Sequence, residues 1–169
     1  MVPPEKVRSV LEECANYAHD VLNSYEVARA LEEFGVAVSV HADDIDFLEQ
    51  DYASLLDHAA TLTDGAVTLT NVRLREGEEI GGSRDDILEF ERNGRLVSIS
   101  AEHFGDGYDY FDQGAACEAI AALSPDNDPR EFRDVDFERK TNHGYDSIMV
   151  LATPEQAKAL TERLGLTIR

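Results

Sequence analysis

The chain has 169 residues, 43% of them apolar and 30% charged, a length and composition that suit one globular domain burying a sizeable core without disulfides or metals. Thirty-five acidic residues against 15 basic ones give a formal net charge of −20, which disfavours nucleic acid or an anionic membrane as a partner. No run of about 18 apolar residues exists to span a membrane as a helix, and Met1-Val2-Pro3-Pro4-Glu5 lacks the basic-then-apolar order of a secretory segment.

Pro3 and Pro4 can open a helix, where their missing N–H groups cost nothing. From Val7 the apolar positions Val7, Val10, Leu11, Cys14, Ala18, Val21, Leu22 and Tyr25 step by three and four, one helical face. Ser24 is placed to recap the chain into a second helical stretch, Glu26 to Phe34, which Gly35 ends. Val36 to Val40 is β-branched and short, and predicts a strand. The spacing of Ile45, Leu48, Tyr52, Leu55, Leu56 and Ala59 predicts an amphipathic helix. The acid cluster Asp43, Asp44, Asp46, Glu49 and Asp51 sits at its start, where carboxylates favour the macrodipole.

After Asp64-Gly65, residues 66–74 look like a strand whose apolar parity switches between Leu69 and Val72, which predicts either a bulge near Asn71 or a strand buried on both sides. Glu76 to Asp86 is expected to be a polar loop, with Gly77, Gly81 and Gly82 among five acids. Asn93-Gly94 between alternating runs is the preferred two-residue hairpin turn. It joins Leu88–Glu91 to Val97–Ala101 in an antiparallel ribbon with one solvated face. Residues 105–114 are expected as an aromatic-acidic loop, followed by an alanine-rich helix from Ala115 to Leu123.

Phe132 to Glu138 alternates as a one-face strand, and Ile148 to Leu151 is continuously apolar, as in a doubly covered strand. Thr153-Pro154-Glu155-Gln156 opens the last helix with a hydroxyl cap, proline at the first position and Gln three residues on. Gly165 closes it, and Leu166 to Ile168 can form an edge strand. The expected fold is a single α+β domain over 1–169: a mainly antiparallel sheet of about five to seven strands with helices packed on one face.

The charge is unevenly spread. Residues 1–40 carry −4, 41–92 carry −10, 93–129 carry −6 and 130–169 carry zero. The bases are 12 Arg and 3 Lys, a bias that a GC-rich genome or a high-salt cytoplasm also produces. Uniform salt adaptation does not predict a neutral last quarter, whereas a one-sided acidic surface does.

Two segments are candidates for chemistry. In His103 to Asp112, the carboxylates Asp106, Asp109 and Asp112 recur at every third position beside His103. They offer oxygens to a hard cation, but not at the alternate positions of an EF-hand. A metal-assisted hydrolase built on this loop is therefore one alternative. The same loop also reads as a surface with Tyr108 and Tyr110 as amphipathic contacts and Asp112 as a helix cap. The glycines of 77–82 form neither GxGxxG nor a P-loop, and the acids around them would repel phosphate.

The histidines His19, His41, His58, His103 and His143 show no HxH or HExxH pairing, and no GxSxG elbow is present. A triad assembled only in space leaves no such signature. Cys14 and Cys117 lie outside any CxxC or Cys/His spacing, which fits a reducing cytoplasm.

The preferred expectation is a non-enzymatic acidic protein-binding module for a basic partner protein, by analogy of class with the small acidic bacterial immunity proteins that neutralise toxin domains. Its contact residues would be Asp106, Tyr108, Asp109, Tyr110 and Asp112, with Asp43, Asp44, Asp46, Glu78 and Glu79. No catalytic residue, metal or cofactor is assigned in that reading. The other alternative is a salt-adapted domain whose ligand pocket has no sequence signature.

Overall fold

A computed structural model describes residues 4–17, 23–42, 47–104, 110, 112–137 and 146–169. The elements in chain order are α1 (Pro4–Tyr17), α2 (Ser24–Glu33), β1 (Ala37–His41), α3 (Leu48–Thr61), β2 (Leu69–Arg75), β3 (Glu79–Ile80), β4 (Ser83–Arg92), β5 (Arg95–Phe104), α4 (Gln113–Ala121), β6 (Glu131–Asp136), β7 (Asp146–Ala152), α5 (Pro154–Leu164) and β8 (Thr167–Ile168). The class is α+β, with every strand pair antiparallel.

The single sheet of five to seven strands is corrected to two sheets of four. One has the order β1-β7-β6-β8; in the other, β4 pairs with β2 and β3 along one edge and with β5 along the opposite edge. Helices cover both faces of the first sheet, not one, because β7 is buried at all seven positions and needs two covers. Ile148, Val150 and Ala152 join Ala28 and Leu31 of α2 in one cluster, together with Val135 and Phe137. Met149 and Leu151 point the other way, into a larger cluster with Tyr52 and Leu56 of α3 and Ala116, Ala119 and Ile120 of α4.

That larger cluster continues into Leu88, Phe90, Ile99 and Ala101 of the second sheet. The layers therefore run α2 and α5, first sheet, α3 and α4, second sheet. The outer face of the second sheet is polar, as the alternation of its hairpin requires.

Local chemistry explains the boundaries. The cap of α2 is Asn23 and not Ser24: its side chain accepts from Glu26 N, and Glu26 Oε2 accepts from Asn23 N. Asp112 caps α4, accepting from Ala115 N at 3.1 Å. Thr153 and Gln156 form the reciprocal capping box expected for α5. Asn71 adopts φ 55°, and the β2–β4 register shifts between Thr70 and Arg73, so the bulge falls where the parity switch put it.

The polar loop expected over Glu76 to Asp86 is instead a second hairpin. Ile80 pairs with Ser83 across a Gly81-Gly82 turn, and β4 begins at Ser83. The acids tolerate this order because Arg84 lies among them. Among the described residues no helix is long and apolar enough to cross a membrane.

Candidate interaction surface

The second sheet ends where β4 begins and β5 finishes, and the residues there are fixed by a buried hydrogen-bond chain. Arg84 and His103 face each other across the β4–β5 ladder, with Asp86 and Ala101 the next pair on the same face. Asp86 is 0% exposed, His103 2% and Tyr52 of α3 0%. Arg84 Nε donates to Asp86 Oδ1 at 2.6 Å and Arg84 Nη2 to Oδ2 at 2.8 Å. Gly77 N adds a bond to Oδ1 at 2.9 Å, and His103 Nδ1 lies 2.8 Å from Oδ2. Four donors thus fill the acceptor sites of one carboxylate.

Burial works against ionised Asp86, but the bonds from Arg84, Gly77 and His103 outweigh it and hold its pKa below the ordinary carboxylate value. With Asp86 ionised, the network assigns the His103 proton to Nδ1, leaving Nε2 to accept from the Tyr52 hydroxyl at 3.1 Å. The Asp112 backbone N–H in turn bonds the phenol oxygen. Burial first, then the negative charges of Asp112 and Asp86, raise the Tyr52 pKa well above its usual range. Asp86, His103 and Tyr52 are sealed from solvent and bonded to one another, so their work is to lock α3, β4, β5 and the α4 cap together.

Around this lock the acidic segments meet. Glu49, in the first turn of α3, accepts from Leu74 N of β2 at 2.8 Å. Arg84 Nη1 also lies 3.7 Å from Glu76 Oε1. Ser83 Oγ donates to Glu102 Oε1 at 2.7 Å, and Glu102 N donates to Asp112 Oδ2 at 3.0 Å. A groove of about 580 Å³ runs between α3 and the sheet, lined by Phe47, Leu48, Glu49, Gln50, Leu74, Glu76 and Arg84. Glu76, Glu78, Glu79, Asp85 and Glu102 are all exposed, and Arg84 is the one base between Arg75 and Arg92. Two large apolar side chains stand open here, Phe47 at 70% and Ile80 at 75% exposure.

Of the expected contact residues, Glu78 and Glu79 are exposed at this end, Asp112 is half-buried with both carboxylate oxygens engaged, and Tyr110 is half-buried. Asp43, Asp44, Asp46, Asp106, Tyr108 and Asp109 lie outside the described residues, as do His19, His143 and the Cys14 side chain. Within the metal alternative, His103 has both ring nitrogens bonded inside the protein. Among the described residues, no group of three or more His, Cys, Asp or Glu is arranged to hold a metal ion. Sequence reasoning did not single out Asp86 with His103, Phe47 or Ile80. The first pair had a readable sign: Asp86 shares parity with Leu88 and Phe90, and His103 with Ile99 and Ala101, so both fall on the apolar face.

A second polar cluster joins α2 to the first sheet. Asp146 Oδ1 lies 2.9 Å from His41 Nδ1, and Tyr25 OH donates to Asp146 Oδ2 at 3.1 Å. Burial and the Asp146 carboxylate raise the Tyr25 pKa. Ser39, His41 and Asp146 are the residue types of a hydrolytic triad, but the geometry is not one. Ser39 Oγ donates to Glu32 Oε2 at 2.8 Å, and His41 Nε2 faces Arg29 Nη1 at 3.0 Å. Arginine has only donors, so the nitrogen that would take a serine proton is occupied by a cation. An apolar cleft of about 240 Å³ between α2 and α5, lined by Leu31, Val36, Val150 and Leu160 among others, holds no titratable group.

Set beside protein-family models, curated proteins and solved structures, the chain matches none of them.

Proposed function

We propose that this chain is a non-enzymatic acidic binding module that docks a basic partner protein on the end of its second sheet, as an immunity or antitoxin-type protein does. The observation that carries the reading is the gathering of Glu49 and Glu76 with Arg84 along a groove beside exposed Phe47, with Glu78, Glu79 and Ile80 exposed on the adjoining hairpin and Asp85 and Glu102 exposed on the other face of the same sheet end. Carboxylates speed and orient the encounter with a cationic surface, and the apolar side chains supply buried area at contact. The buried Asp86 network holds the supporting backbone in place before binding, which lowers the ordering cost.

The test replaces Glu76, Glu78, Glu79 and Asp85 together by Gln and Asn. Host-cell extract is passed over the wild-type and substituted proteins at low ionic strength, and captured proteins are titrated against both. The reading expects a partner of basic isoelectric point whose affinity falls steeply as salt rises, and at least about tenfold with the substitutions. Capture of no basic protein, or equal affinity for the two forms, would overturn it.

A further inference from the structure

Among the described residues, no strand pairs with the outer edge of β5. The two-residue Asn93-Gly94 turn makes Arg92 and Arg95 a hydrogen-bonded pair, which sets the phase of the whole ladder. Val97, Ile99, Ala101 and His103 therefore turn their N–H and C=O groups to β4. Leu96, Ser98, Ser100 and Glu102 turn theirs outward. The bond from Glu102 N to Asp112 Oδ2 at 3.0 Å confirms this phase, since it is made on the side away from β4.

The outward groups of Leu96, Ser98 and Ser100 have no backbone or side-chain partner among the described residues, and all three residues are exposed, Leu96 to 61%. Natural edges are blunted by lysine, proline, a bulge or a short strand. The run from Leu96 to Ala101 has no charge and no proline, and β5 pairs with β4 over ten consecutive residues without a shift.

We propose that this edge takes an extended segment of the basic partner, with basic and apolar residues alternating, as an added β-strand; the inference rests on the reading given under Proposed function. Charge selects the occupant. On the outer face, the row of β4 next to the edge strand holds Asp85, Ile87, Glu89 and Glu91, opposite Glu102, Ser100, Ser98 and Leu96; Glu89 is already paired with Arg73 and Arg75, so Asp85, Glu91 and Glu102 are the acids open to a cation. Ser98 and Ser100 are small, so a lysine or arginine of the added strand can reach over them toward those acids. On the inner face, half-buried Val97 and buried Ile99 offer apolar neighbours to the alternate residues. A second copy of this chain would instead bring a net −20 beside another −20, which opposes association.

The experiment uses the full chain, isotopically labelled, with three probes: a blocked alternating Lys-Val peptide, its fully N-methylated counterpart and poly-lysine. Amide exchange and chemical shifts are read by NMR. The expected result is exchange slowed about tenfold or more at Leu96, Ser98 and Ser100 by the Lys-Val peptide only. Poly-lysine should perturb the acidic end without protecting the edge. Ser98→Pro removes an N–H that β4 does not use, and it should weaken the peptide about tenfold or more while leaving poly-lysine binding unchanged. The N-methylated peptide makes the same point without altering the protein.

Salt-sensitive poly-lysine binding with no edge protection would overturn this inference alone. Failure of the Lys-Val peptide and of poly-lysine to bind would overturn the acidic-surface reading with it. Edge protection that grows with protein concentration in the absence of peptide would give the edge to a second copy and overturn the proposal.

Discussion

The carboxylate of Asp86 illustrates how a single residue can read as one thing in sequence and be another in the fold. It closes a run of acids, and run-level reasoning treats it as one more solvated charge. Its parity with Leu88 and Phe90 sends it inward, where Arg84, Gly77 and His103 all donate to it. Its pKa is lowered on folding, so ionised Asp86 contributes stability that is fully present above the ordinary carboxylate value, near pH 4. That contribution is lost as pH falls through the folded-state value. Asp86→Asn should cost about 3–5 kcal/mol at neutral pH, because it strands Arg84 and His103. It should also flatten the acid limb of stability against pH. Urea unfolding followed from neutral pH to pH 3 measures both, and an unchanged acid limb would contradict the assignment. Tyr52→Phe keeps the ring packing and removes the hydroxyl that bonds both His103 Nε2 and the Asp112 backbone N–H, so a loss of about 1–3 kcal/mol is expected from the same unfolding curves.

At the scale of elements, the legible pieces were those whose signal is local. The capping box at Thr153, the Asp112 cap, the Asn93-Gly94 turn and the bulge at Asn71 each depend on residues within a few positions of one another. They all form in the structure. The hairpin hidden in residues 76–86 depended on a contact beyond that range, the bond from Gly77 N to Asp86, which lays the Gly77 backbone against β4. A Cβ placed on Gly77 would stand 2.0 Å from the Asp85 carbonyl oxygen, so only glycine lets these segments approach. Gly77→Ala should therefore push the segment off β4 and break the bond from Gly77 N to Asp86. The expected cost is about 1–3 kcal/mol, read as a lower unfolding midpoint together with faster amide exchange at Glu79 and Ile80. Gly81 has open space around its Cβ position but a left-handed φ of 68°. Gly81→Ala should cost only about 1 kcal/mol from backbone strain, and comparing the two variants separates close approach from conformational freedom.

For the whole molecule, strand type and the α+β class were readable because alternation in β4 and β5 and unbroken apolarity in β7 report how many faces each strand buries. The partition into two sheets was not readable, since nothing in a strand's own pattern names its neighbour. What joins the sheets is the layer of α3 and α4, and the small side chains of Ala115, Ala116 and Ala119 allow α4 to sit close to both. Ile120 is fully buried in the cluster that contains Val38 and Met149 of one sheet and Leu88 and Ile99 of the other. If that cluster makes the chain one cooperative unit, a cavity at Ile120 must weaken both sheets equally. Ile120→Ala should cost about 2–5 kcal/mol, with one urea transition that is the same whichever probe follows it. Amide exchange at Val150 in β7 and at Ile99 in β5 should accelerate by the same factor. Acceleration confined to one sheet, or two separate transitions, would mean that the sheets unfold independently and that the single-domain expectation fails.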